Sequence, residues 1–139
     1  MAVYITLKGR KIPLLYTTYE MKVIQEEIAP LHEFQYIVFG RNKEDENDDS
    51  LYGTPKHLEG LATLIRILGN AGLEDAGETP DLTNKSILRA MKPTEIGPAM
   101  SACSRAMAEG MRSEIPEEKK DGPVDVTLEE ISKKKERES

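Results

Sequence analysis

Residues 2–17 read "AVYITLKGRKIPLLYT". Val3, Ile5 and Leu7 alternate with Tyr4, Thr6 and Lys8, and the apolar positions resume at Ile12 and Leu14 beyond "KGRK". Apolar residues at every second position on both sides of a two-residue, Gly-containing turn predict a β-hairpin, because successive strand side chains point to opposite faces. Pro13 has no N–H to give a neighbouring strand, so its strand belongs at an edge. An isolated hairpin is marginal in water, and its apolar face requires helices to cover it.

The first helix follows directly. Thr17 and Glu20 have capping-box spacing, and Met21, Ile24, Ile28 and Leu31 recur at helical intervals until Pro30 ends the run. Residues 34–39 lie in "HEFQYIVFG" and are apolar and aromatic; a third short strand is the preferred reading, with a buried helical turn as the alternative. Residues 41–54 form an acidic loop, with five acids against two bases between Arg41 and Ser50. A like-charged polar run buries too little surface to order itself, so it reads as a solvated connection. Asp45, Asn47 and Asp49 alternate as in a calcium loop, but the central Gly and terminal Glu are missing.

Beyond the loop, Thr54 and Pro55 begin a strong helix with the stripe Leu58, Leu61, Ala62, Ile65 and Leu68, expected to end at Gly69 or Gly72. Leu82 is placed to staple Ile87, with Thr83 as the cap between them. Pro93 closes that helix and Thr94 is expected to cap the next. The last helix carries Ile96, Met100, Cys103, Met107 and Met111, backed by Ala99, Ala102 and Ala106; core packing explains this stripe, and so does contact with an adaptable partner.

These elements predict an α+β fold, a hairpin packed on a mainly α-helical bundle. One domain is expected over residues 1–113, followed by a charged linker and tail at 114–139. Within the tail, Thr127 and Glu130 again have capping-box spacing, which predicts a short helix over residues 127–137, with Val124 and Val126 as an extended lead-in. A helix this short needs a surface to order against, so Val124, Val126, Leu128 and Ile131 are expected to dock on this domain, a second copy or a client.

Composition narrows the function. The 139 residues carry 19 Lys and Arg against 25 Asp and Glu, a net charge of −6 with no basic face in the sequence, which argues against nucleic acid as a partner. The lone Cys103, the missing signal-peptide pattern and the missing long apolar segment predict a soluble intracellular protein that neither spans nor binds a membrane. His32 and His57 lie on different elements without metal-ligand neighbours, and neither a phosphate-binding nor a dinucleotide-binding glycine motif occurs. No catalytic residue, metal ligand or cofactor is therefore assigned.

The stretch "ITLKGRKIPLLYTTYEMKVIQEEI", with "LATLIRILGNAGLEDAGETPDLTNKSILRAMKP", "IGPAMSACSRAMAEGM" and the ending "DVTLEEISKKK", resembles tail assembly chaperones of long-tailed bacteriophages and prophages. The acidic loop and "FQYIVF" match nothing in that family. The resemblance implies a non-catalytic protein of virion morphogenesis in the bacterial cytoplasm, one that binds the tape measure protein and brings tail tube protein to it. Leu61, Ile65, Leu68, Met100, Met107 and Met111 are then the candidate partner-binding residues. Self-association into a homo-oligomer is compatible with an exposed strand edge. The family often makes a longer product by ribosomal frameshifting, for which Lys133, Lys134 and Lys135 codons could supply a slippery run; a plain solvated Lys tail explains the same residues. A structural adaptor retained in the particle, or a small regulatory binding module, are the alternative functions.

Overall fold

A computed structural model describes residues 2–45 and 47–112. The expected linker, the tail helix, the docking residues Val124, Val126, Leu128 and Ile131, and the lysine run lie outside the described residues. The fold is α+β: a two-stranded antiparallel sheet and a set of helices around one core.

Strands β1 (Val3–Leu7) and β2 (Arg10–Leu14) pair from Val3 opposite Leu14 to Leu7 opposite Arg10. Lys8 and Gly9 form the turn with φ of 51° and 78°. Two successive left-handed residues make a type I′ turn, whose twist matches that of the strands it joins. Such a turn makes Leu7 and Arg10 a hydrogen-bonded pair, so Ile5 with Ile12 and Val3 with Leu14 are the others, and Tyr4 faces Pro13 where no N–H is needed. The core face of the sheet is Ile5, Leu7, Ile12 and Leu14.

Helix α1 (Thr18–Glu27) starts with the expected box: Thr17 N–H donates to Glu20 Oε1 at 2.9 Å, and Tyr19 N–H donates to Thr17 Oγ1 at 3.2 Å. Ile24 is fully buried and Met21 half-buried, but the helix ends at Glu27 before Pro30, which leaves Leu31 outside the stripe and exposed.

The preferred strand at 34–39 is a helix instead, α2 (Phe34–Val38). Its Phe34 and Val38, four residues apart, turn together into the core, and Ile37 settles over Gly60, where an added Cβ would lie 2.6 Å from Ile37 Cγ2. A strand would have put Ile37 on the face opposite Phe34 and Val38. Burial of Phe34 and Val38 together, with Ile37 half-buried over Gly60, overrides their β propensity.

Gly60 belongs to α3 (Pro55–Asp75), which is capped by Thr54 and touches β2, α1, α2, α4 and α5. It runs straight through Gly69 and Gly72, the two positions expected to end it. At Gly72 an added Cβ would lie 1.9 Å from the Pro13 carbonyl oxygen, and at Gly69 it would lie 2.6 Å from Leu82 Cδ1. These glycines let other chain segments approach the helix axis. The actual stop is Gly77 at φ 81°, with Gly77 N–H donating to the Glu74 carbonyl and Glu78 N–H to the Leu73 carbonyl, a Schellman closure. The hairpin is further tied down by Leu15 N–H donating to the Leu68 carbonyl at 3.0 Å.

Helix α4 (Asn84–Ala90) is capped by Thr83, with Leu82 and Ile87 both buried, as the staple requires. Asn70 clamps Leu82 from α3, accepting its N–H at 2.9 Å and donating to its carbonyl at 3.2 Å. Thr94 does not cap the last helix. It lies inside a 3₁₀ turn (Pro93–Glu95), where the Glu95 carboxylate accepts the Lys92 N–H at 2.8 Å, and α5 (Ile96–Gly110) continues from that turn.

Two glycine substitutions separate packing from helix propensity. Gly72→Ala is expected to destabilise the fold by about 2–3 kcal/mol despite better helix propensity, because the added methyl meets backbone. Gly97→Ala, where an added Cβ meets nothing within 4 Å, is expected to stabilise it by up to about 1 kcal/mol. Denaturant titrations monitored by circular dichroism distinguish the two.

Candidate functional site: a groove between α2 and α5

Helix α5 has two working faces. Ile96, Ala99, Ala102, Cys103 and Ala106 are buried, and their small side chains bring the helix close to β1 and α3. The next face carries Gly97, Met100, Ser101 and Ser104, at i, i+3, i+4 and i+7. Opposite stand Gln35 and Tyr36 of α2, then Phe39 and Arg41, and the two sides enclose an open groove of about 490 Å³. Phe39, Met100 and Tyr36 supply apolar surface; Gln35, Arg41, Ser101 and Ser104 surround it with hydrogen-bonding groups. Arg41 is the one cationic side chain of this lining.

Behind Met100 lies His57. It is 1% exposed, its Nδ1 accepts the Gly53 N–H at 2.8 Å, and its Nε2 lies 3.4 Å from Met100 Sδ. Nδ1 is therefore the unprotonated nitrogen and Nε2 carries the hydrogen. Tyr52 leans on the imidazole at 5.0 Å between ring centroids, and a Cβ added at Gly40, whose φ is 68°, would lie 3.0 Å from the His57 Nδ1. One side chain thus joins the end of α2, the loop before α3, α3 itself and α5. Burial holds its pKa below the ordinary histidine value, while a hydrogen bond with the Val38 backbone acts in the opposite sense.

The six candidate partner-binding residues separate. Leu61, Ile65 and Leu68 are fully buried and hold the core together, so none of their surface is available. Met107 packs partly against that core, and Met111 is 68% exposed at the end of α5. Met100 alone of the six lines the groove. Gln35, Tyr36, Phe39 and Arg41 were not legible as one lining because a strand at 34–39 puts Tyr36 on the face opposite Gln35 and Phe39, and His57 carries no local sign that it meets Met100, 43 residues away. The helical spacing of Gly97, Met100, Ser101 and Ser104 was the available signal.

Cys103 is buried, and burial pushes its thiol up to about 12, so it is a small apolar side chain at neutral pH. In the acidic loop, Asn42, Asp45 and Asp48 side-chain oxygens accept the N–H groups of Glu44, Asn47 and Ser50 at 2.8–3.0 Å. Successive Asx turns order the segment by satisfying its own backbone. Among the described residues no group of three or more His, Cys, Asp or Glu could hold a metal ion, and no helix is long and apolar enough to cross a membrane. No family model, curated protein or solved structure matches this chain.

His57 makes stability pH-dependent. A folded-state pKa below the unfolded value of about 6.5 means that the unfolded chain binds the extra proton first. Its contribution is complete above the unfolded value and lost as pH falls below it, when a second hydrogen on Nδ1 would oppose the Gly53 N–H. Thermal unfolding should show a midpoint that drops between about pH 7.5 and pH 5.5; His57→Gln should be less stable throughout and lose most of that drop.

Proposed function

We propose that this chain is a non-catalytic chaperone of phage tail assembly that binds a helical segment of the tape measure protein and helps bring tail tube subunits to it. The carrying observation is the groove between α2 and α5, where Met100, Phe39 and Tyr36 line an open cleft of about 490 Å³ rimmed by Ser101, Ser104 and Gln35. An amphipathic helix is held by an apolar trough with a polar margin, and a thioether adapts to irregular client side chains. The net charge of −6 keeps such a carrier from clustering with its own copies while it holds an apolar client. The wording shared with tail assembly chaperones at the hairpin, the last helix and the tail directs the reading to this client class.

Co-expression with a tape measure protein tests it. Full-length chain is expected to keep the partner soluble and to co-purify with it, and Ser104→Trp, which fills the groove from an exposed helix position, is expected to weaken the complex at least about tenfold while leaving the unfolding midpoint unchanged. A partner that is equally soluble with and without the chain would sink the proposal.

A further inference from the structure

The groove between α2 and α5 differs in charge from the rest of the chain. The net charge is −6, yet no carboxylate lines the groove and Arg41 does. A second cation borders the opposite wall. Arg105, exposed on α5, donates from Nη1 to Ser101 Oγ at 3.0 Å, and Ser101 is a lining residue. Each wall of the trough therefore has a guanidinium at its margin.

Neither guanidinium is neutralised within the fold. Arg10 pairs with Asp81, Arg66 with Glu27 and Arg112 with Glu109, whereas among the described residues Arg41 and Arg105 form no ion pair. Arg89 forms none either, but it lies on α4 and does not border the groove. Acids close to the two along the chain are engaged elsewhere. Glu33 is bonded to Lys43 at 2.9 Å, Glu44 acts on the same ammonium, and Asp45 accepts the Asn47 N–H at 3.0 Å. Glu109, one turn beyond Arg105, is the carboxylate that pairs with Arg112.

We propose that the groove selects an amphipathic helix whose apolar stripe is flanked on both sides by Asp or Glu. This deepens the client-binding reading of the groove and rests on it. From Gly97 to Ser104 the α5 wall is about 10 Å long, so two turns of a client helix meet it. Over two turns, residues three and four apart form the stripe that packs on Met100, Phe39 and Tyr36, and the residues beside the stripe face the two walls. A guanidinium offers a carboxylate a planar fork of donors, which fixes direction as well as charge. Apolar contact with the soft Met100 side chain tolerates many stripes, while the two arginines decide which helices are accepted and in what rotation about their axis. A helix flanked by Lys meets like charge on both walls and is rejected. The acidic balance of the remaining surface repels an acid-flanked helix elsewhere and confines it to the groove.

Fluorescence anisotropy with two synthetic helical peptides tests this. Both carry the same stripe of Leu and Met, flanked by Glu in one and by Lys in the other. The full-length chain is expected to bind the Glu peptide at least about tenfold more tightly, with the ratio shrinking as salt is raised. The double variant Arg41→Glu with Arg105→Glu is expected to reverse the order, which a variant that had merely unfolded could not do. Equal binding of the two peptides, lost in Ser104→Trp, would overturn the acidic preference and leave the groove as the client site. Binding that survives Ser104→Trp, or no binding of either peptide, would overturn the groove reading and this inference with it.

Discussion

The approach of Pro13 to Gly72 is the contact on which the rest of the structure depends. A two-stranded hairpin does not stand alone, and this one is held by laying β2 along α3 so closely that no side chain fits between them at that point. The absence of a Cβ at Gly72 makes room for the Pro13 carbonyl, and the missing N–H of Pro13 falls where the pairing pattern has no use for one. Once β2 is seated, Ile12 and Leu14 enter the core beside Leu68 and Leu73, and the Leu15–Leu68 hydrogen bond fixes the slide along the helix.

Everything else is arranged around α3 by variations on the same device. Gly60 admits Ile37 of α2, Gly69 admits Leu82 ahead of α4, and the alanines of α5 let that helix lie close to the sheet. Polar ties then set angles that apolar packing leaves loose. Arg66 reaches both Glu27 of α1 and Asn84 of α4, and Asn84 returns to Thr63 at 2.9 Å, so three helices share one side-chain network.

The groove follows from this arrangement. α2 has five residues against fifteen in α5, and buried His57 touches the Val38 backbone at the end of α2 and Met100 of α5. A buried neutral imidazole with one nitrogen accepting from backbone is a rigid support. The soft Met100 side chain above it can adjust to what enters, so a stiff base supports an adaptable lining.

Much of the fold was legible because its signals are local. The hairpin turn, the box at Thr17, the Thr83 cap, the Thr54–Pro55 start and the Leu82–Ile87 staple each need only a few neighbouring residues, and the α+β class follows from them. What local pattern could not supply was the identity of a neighbour. Gly69 and Gly72 look like helix stops until β2 is seen pressed against them. Residues 34–39 have strand composition, and it is the burial of Phe34 and Val38 on one side, with Ile37 seated over Gly60 of α3, that favours a helix. Met100, Met107 and Met111 read as one stripe, yet the tertiary structure gives them three surroundings: groove lining, core margin and solvent. The sequence by itself determined where chain segments begin, turn and cap, since those choices are settled within one helical turn or one hairpin. Which apolar residues became core and which became surface was decided only when the elements met, because burial belongs to pairs of segments distant along the chain.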